Sequence, residues 1–289
     1  MTSYNKKSAI DLGWSETWFD LDEWDELKLK AKIREFQRAN DLKPDGFFGP
    51  VSFEKLKHKR KPNSIMCGTK ELQLQCKVVL WNDKGGLKAK DKSYRPCYTS
   101  REVKLFVNHW DVCRSSRSCI KVLNDKFLSC QFLIGAEEVD GKAIIFQTMN
   151  ADHVAWHAGG RRFNDRSIGV EINNAYKLKY QDYYKKKIGK ERPIMENHFV
   201  HGRPMSPHLG FYDHQLEALK ELWKGICKAY NIPIQTPRRK SGAQYSRVYP
   251  PAIEGKYRGI IHHYSISRTK IDCGSLDLTI LVDELNQDS

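Results

Sequence analysis

Val103-Lys104-Leu105-Phe106-Val107-Asn108-His109-Trp110 is an apolar, β-branched run that ends on an imidazole. Its composition predicts a strand that delivers His109 at its C-terminal end, where sites on α/β sheets collect. Working outward, Leu72 to Trp81, Ala143 to Gln147, Ser167 to Ile172 and Gly259 to Tyr264 read as further strands. Ser118 to Phe127 has a short helical pattern. Leu216, Leu219, Leu222, Ile226 and Tyr230 mark a longer helix, with Asp213 available as its N-cap. Strands alternating with helices predict an α/β fold, a central sheet flanked by helices.

The chain has 289 residues, enough for about two domains. With 40% apolar and 29% charged residues, and 7 Trp, 13 Tyr and 12 Phe, the composition excludes both a membrane-embedded protein and a disordered one. No apolar run reaches the length of a membrane span, so no membrane insertion is expected. Met1 to Glu16 lacks the apolar core of a secretory signal, which predicts synthesis in a cytoplasm without a Sec-type route. The net charge of +14 favours anionic partners without choosing among them. Nucleic acid is not expected, because no zinc-finger spacing, RNP signature or stripe of alternating aromatics and basics is present.

Trp24 to Asn40 carries Leu29, Ile33 and Phe36 at helical spacing, widened by Trp24, Leu27 and Ala31. Lys43-Pro44-Asp45-Gly46 is a turn, and Val51 to Leu56 resumes a helical pattern. These features predict a small all-helical N-terminal unit. Lys57 to Asn63 is basic and breaker-rich and reads as a linker, giving domains 1–62 and 63–289. Asn173 to Gly210, polar and interrupted by Pro193, Pro204 and Pro207, reads as a long surface insertion that shapes specificity.

Two further segments carry chemistry. In Ser167-Ile168-Gly169-Val170-Glu171-Ile172-Asn173 the period of two puts Ile168, Val170 and Ile172 on one face and Glu171 on the other. A carboxylate in so apolar a strand must be paired or poised for proton transfer. Ile260 to Gly274 places His262, His263, Lys270 and Asp272 close to a strand end. Two nitrogen ligands, one oxygen ligand and an open fourth position suit catalytic zinc. Cys113 and Cys119, six residues apart, can close a small loop in an oxidising compartment. The remaining cysteines read as buried thiols. His153, His198, His201, His208 and His214 lack such context and are expected at the surface.

Two resemblances follow from these residues. Ile33 to Pro50, with its Phe36-Gln37, Leu42, Asp45-Gly46 and Phe48-Gly49, resembles the peptidoglycan-binding domain found beside many cell-wall hydrolases. Residues 70 to 285 resemble the zinc-dependent N-acetylmuramoyl-L-alanine amidases of the Amidase_2 family. That family shares its mixed sheet with T7-type phage lysozymes and animal peptidoglycan recognition proteins. The carriers are Val107-Asn108-His109, Phe132 to Gly135 with Asp140-Gly141, Ala155-Trp156-His157-Ala158-Gly159, Ser167 to Glu171, and His263-Tyr264 with Lys270-Ile271-Asp272.

The amidase resemblance implies zinc held by His109, His263 and Asp272, with Glu171 and Lys270 catalytic. His262 is the alternative to His263, because a second subgroup spaces its lysine and third ligand one residue further on. Cys273 is the alternative to Asp272, since many relatives use cysteine. Cys130 stands where some relatives have tyrosine, so this chain resembles the glutamate-dependent subgroup. His157 is implied to be structural or substrate-orienting. Together the resemblances imply an endolysin-like hydrolase of bacterial peptidoglycan acting at the cell wall. The alternative is a recognition protein that keeps the fold without catalysis. Oligomeric state is not legible.

Overall fold

The computed structural model describes residues 2–287. Six strands form the central sheet: β1 (Val78–Leu80), β2 (Leu105–Trp110), β3 (Phe132–Val139), β4 (Lys142–Gln147), β5 (Ser167–Ile172) and β6 (Gly259–His262). Their order is β6-β2-β5-β3-β4-β1. Every neighbouring pair is parallel except β3 and β4. That hairpin turns at Asp140-Gly141, both with positive φ, as the tight turn favoured between right-twisted strands requires. The sheet is therefore mixed, as the resemblance implies.

The predicted strand from Leu72 to Trp81 is two elements. Lys70–Gln73 pairs with Ser64–Cys67 in a separate hairpin, and only Val78–Leu80 joins the sheet. Between them the backbone N–H of Gln75 donates to Glu221 on the long helix, 3.1 Å away, and the chain bends to meet it.

Side chains alternate across the sheet. Phe106, Trp110, Ile168, Val170, Ile172 and Ile260 pack with Leu219, Leu222, Trp223 and Ile226 of the long helix (Asp213–Tyr230) in the main core. Asn108 shares that face, accepting from Trp223 Nε1 at 3.2 Å and donating to Ile261 O at 2.9 Å. Leu105, Val107 and Ile261 face the other way, against Ala158, Ala252 and Ile266. His109, two residues after Val107, follows them to this second face.

The long helix is capped by Tyr212, whose N–H donates to Gln215 Oε1. Asp213, expected as the N-cap, instead occupies the first turn, where a carboxylate still complements the helix dipole. The shorter helix, Ser116–Asp125, starts two residues earlier than expected because Ser115 and Ser118 cap each other reciprocally.

The N-terminal unit contains more than the sequence predicts. Tyr4–Leu12 is a helix and Glu16–Phe19 a 3-10 turn, ahead of helices Glu26–Ala39 and Pro50–Leu56. Trp14, Trp18, Phe19, Leu29, Ile33, Phe48, Phe53 and Leu56 form a core of their own. Leu27, counted in the apolar stripe, is 83% exposed, because the buried stripe runs through Leu29 and Ile33. Gln37 gives the Phe-Gln and Asp-Gly pairs a physical reason to co-occur. Its amide donates to Asp45 Oδ1 at 3.0 Å and Phe47 O at 3.1 Å, and accepts from Gly46 N at 2.9 Å. This unit touches the rest through hydrogen bonds from Trp81 Nε1 to Asp11 O (3.0 Å) and from Asn150 Nδ2 to Ile10 O (3.1 Å).

The stretch from Asn173 to Gly210 is not simply a surface insertion. It holds the helix Gln181–Ile188 and two short ladders, 194–195 with 208–209 and 199–200 with 203–204. Arg192 is buried between the rings of Tyr184 and Tyr212, 4.0 and 4.3 Å away. Its guanidinium donates to Gly210 O, Gln215 Oε1 and Asn173 O at 2.9–3.0 Å. One buried arginine thus ties the excursion to β5 and the long helix.

Three histidines expected at the surface are also buried, each because both ring nitrogens find partners. His153 accepts from Cys97 N and faces Asp11, His208 meets Ser206 O and Ser275 Oγ, and His214 donates to Ala136 O beside Glu138. Cys113 and Cys119 are free thiols, Cys113 half-buried and Cys119 buried. Among the described residues no helix is long and apolar enough to cross a membrane.

Candidate active site

The site lies on the face away from the long helix, at the C-terminal ends of β2, β5 and β6. The parallel register pairs His109 with Glu171 on adjacent strands. It also pairs Ile261 with Val107 and His262 with Asn108. His262 therefore follows Asn108 toward the main core, and His263 turns back to meet His109.

His109, His263 and Asp272 form one buried cluster. His109 Nδ1 lies 3.0 Å from His263 Nδ1 and 3.1 Å from Asp272 Oδ2, and the third side of the triangle is 3.0 Å. These three residues could hold a metal ion, each offering one ligand atom. The donor set fits zinc in chemistry, two imidazole nitrogens and one carboxylate oxygen converging on a point. Burial, then the neighbouring His263, pushes the His109 imidazole down to about 4, so it is neutral and able to ligate near pH 7. Burial alone would raise the Asp272 carboxyl, but His109 and His263 hold it well below the usual carboxylate range.

His262 is placed differently. Its Nε2 meets Gln244 Oε1 at 3.1 Å, and its Nδ1 accepts from Cys273 N at 3.3 Å. Cys273 is fully buried in the main core, outside the cluster.

Glu171 projects beside the cluster. Its Oε2 is buried and has no hydrogen-bond partner among the described residues. Burial, with Asp111 and Asp272 nearby, pushes its carboxyl well above the ordinary value, and Lys270 opposes the shift. Lys270 is exposed on the loop before Asp272, close enough for its charge to act on both Glu171 and His109.

Two features escaped the sequence reading. Asp111 accepts from Cys113 N, Asn174 N and Asn173 Nδ2 at 2.9–3.0 Å, while burial pushes it up to about 7. Period two from His109 would have placed it on this face. The second is a hydrogen-bonded row behind His109. His109 Nε2 lies 2.9 Å from His157 Nδ1, His157 Nε2 lies 3.1 Å from Ser167 Oγ, and Ser167 Oγ donates to Phe163 O at 2.7 Å. Gly169 makes room for it, since a Cβ there would sit 2.5 Å from His157 Nδ1.

A family model described as N-acetylmuramoyl-L-alanine amidase matches residues 99–275, more than half of the chain, and spans every residue of this site. The chain belongs to the N-acetylmuramoyl-L-alanine amidase family. Solved structures similar to it include the amidase AmiD from E. coli in complex with anhydro-N-acetylmuramic acid-L-Ala-D-γ-Glu-L-Lys. It shares 22% identity over 59% of this chain and 54% of that chain, with a TM-score of 0.33. The chain thus spans about half the length of that relative. AmpDh3 from Pseudomonas aeruginosa, in complex with an anhydromuramic pentapeptide, shares 22% identity over 69% of this chain and 66% of that one, with a TM-score of 0.40. An endolysin from a Thermus scotoductus bacteriophage shares 15% identity over 72% of this chain and 98% of that one, with a TM-score of 0.38. A comparison with curated proteins finds no match.

Proposed function

We propose that this chain is a zinc-dependent peptidoglycan hydrolase that cleaves the amide between N-acetylmuramic acid and L-alanine. The observation that carries the reading is the convergence of His109 Nδ1, His263 Nδ1 and Asp272 Oδ2 beside the unpartnered carboxylate of Glu171. His109, His263 and Asp272 would hold the metal. When bound, zinc supplies a Lewis acid and a water acidified toward about pKa 7.

Glu171 accepts the proton of the attacking water and returns it to the leaving amine of L-alanine. An unpaired buried carboxylate suits this role, because no hydrogen bond must break before the proton arrives. Lys270 offers a positive charge to the carbonyl oxygen as it becomes an oxyanion. A catalytically silent recognition protein would need neither group. Uptake of one zinc per chain, with release of stem peptide lost on chelation and restored by zinc, tests the proposal. Zinc-independent release would contradict it.

Residues 1–62 are proposed to bind the wall and residues 63–289 to cut it. Joining a weak binding unit to the hydrolase raises the local concentration of substrate without any new contact at the scissile bond. The site of action is the bacterial cell wall.

His157 is proposed to fix the orientation of His109. With His109 Nδ1 turned to the metal, its Nε2–H donates to His157 Nδ1, His157 Nε2–H donates to Ser167 Oγ, and the Ser167 hydroxyl donates to Phe163 O. Every donor and acceptor in the row is then satisfied. Burial and the two neighbouring imidazoles hold His157 neutral, as an acceptor must be. His157→Ala is expected to weaken zinc affinity by about 10- to 100-fold. His157→Gln, whose carbonyl can accept the same bond, should recover part of that loss. Competition with a chromophoric chelator measures both, and unchanged affinity in the alanine variant would exclude the role.

A further inference from the structure

A cleft of about 1190 Å³ lies between the excursion after β5, the segment around Arg247 and the loop that leads into Asp272. Lys177, Arg203, Arg247 and Arg268 line it, and no Asp or Glu does. All four cations are exposed, and among the described residues none has an ion-pair partner. Arg95, Arg238 and Arg258 elsewhere on the surface are paired with Asp165, Asp283 and Glu102. The next two clefts mix signs, one with Asp11 and Asp91 beside Lys88 and Lys92, the other with Glu138 and Glu191 beside Lys190 and Arg192. A concavity walled by one sign of charge focuses its field and concentrates opposite charge from solution.

His201 holds these walls together. It turns the 199–204 hairpin with a φ of 55°, a left-handed conformation that a non-glycine residue keeps where its surroundings fix it. Its backbone N–H donates to Ser246 O at 2.8 Å, next to Arg247, and its Nε2 lies 3.0 Å from Lys270 O, two residues after Arg268. The segments that carry Arg203, Arg247 and Arg268 are therefore joined at one residue and positioned before any ligand arrives, which lowers the cost of binding one.

Planar guanidinium forks pair with phosphate oxygens in two-point geometry. A phosphodiester offers two free oxygens and one charge per repeat, so a flexible polymer can give successive repeats to cations on separate segments. The rings of the wall, Tyr176 and Tyr245, already pack against Trp110 and Tyr249 at 4.6 and 5.4 Å, which favours contact with a charged backbone over base stacking. None of His109, Glu171, His263, Lys270 or Asp272 lines the cleft. We propose that it is a docking site, separate from the metal cluster, for a phosphodiester-linked anionic polymer of the cell wall. The choice of a wall polymer rests on the hydrolase reading, while its test reads binding alone.

The experiment is calorimetric titration of the full-length protein with a poly(glycerol phosphate) oligomer. The oligomer should bind, with affinity falling about tenfold or more between about 50 and 200 mM salt as its counterions are released. Arg203→Ala/Arg247→Ala should weaken binding about tenfold or more and flatten that salt dependence. Circular dichroism of this variant should retain the wild-type melting transition. Lys186→Ala/Lys187→Ala removes two exposed charges outside the cleft and should stay within about twofold of the wild type. No binding, or equal losses in the two variants, would overturn the proposal, because net charge alone would then account for the attraction. Tighter binding of a single-stranded oligonucleotide, or of the tripeptide L-Ala-D-γ-Glu-L-Lys, through the same arginines would overturn it in favour of that ligand. Arginine-dependent binding of the oligomer by a protein that cleaves no peptidoglycan would uphold the cleft and refute the amidase reading.

Discussion

Glu171→Gln is expected to lower kcat on peptidoglycan by about 10²- to 10⁴-fold while leaving the protein folded and zinc-loaded. The substitution keeps the shape of the side chain and removes only its ability to take a proton. Oε2 is already buried without a partner, so no native hydrogen bond is lost at that atom. Removing a charge from a buried site next to Asp111 and Asp272 does not cost stability on electrostatic grounds. The wild-type pH profile should carry the same signature. A base works only when ionised, and burial raises this carboxyl, so activity should fall with acid along a limb above the ordinary Glu value of about 4.3. Initial rates across pH, with zinc content measured in parallel, check both statements. A glutamine variant with wild-type rate would remove Glu171 from the mechanism.

His263→Ala and His262→Ala should part company. Losing His263 removes one of three converging donors, so the variant should fail to retain stoichiometric zinc through dialysis and should lose activity by about 10³-fold or more. His262 instead holds Gln244 Oε1 and the Cys273 amide, stacked 4.4 Å from the Tyr264 ring. His262→Ala should cost about 1–3 kcal/mol of stability through those unpaired groups yet keep its zinc. Metal analysis and thermal unfolding of the two variants separate the roles. Zinc loss in the His262 variant alone would exchange them.

Much of this architecture is legible in local pattern. Alternation along Leu105 to Trp110 and Ile168 to Ile172 determines which side chains meet the long helix, and the observed sheet follows it. The same period settles where His262 and His263 point once β6 is known to lie beside β2. Spacing alone leaves that choice open, because it does not reveal the strand neighbour. Long-range polar burial is harder to read. Arg192 looks like one more cation in a basic stretch, and only the closing of Tyr184 and Tyr212 around it makes it a core residue. His153, His208 and His214 are buried by partners distant in sequence, and the His157–Ser167 contact depends on a loop folding back over Gly169. The helix Tyr4–Leu12 has a weak apolar stripe and is held by Ser8, Asn5 and their hydrogen bonds to the Gly46–Phe48 turn, a tertiary signal that periodicity does not carry.

Mass spectrometry of fragments released from purified sacculi tests the central claim most directly. The zinc-loaded protein should release stem peptides that begin with a free L-alanine amino group and leave intact glycan strands. Release of new reducing sugar ends, or of fragments cut within the peptide, would contradict the assignment of Glu171 and the His109–His263–Asp272 cluster to the lactyl–alanine amide.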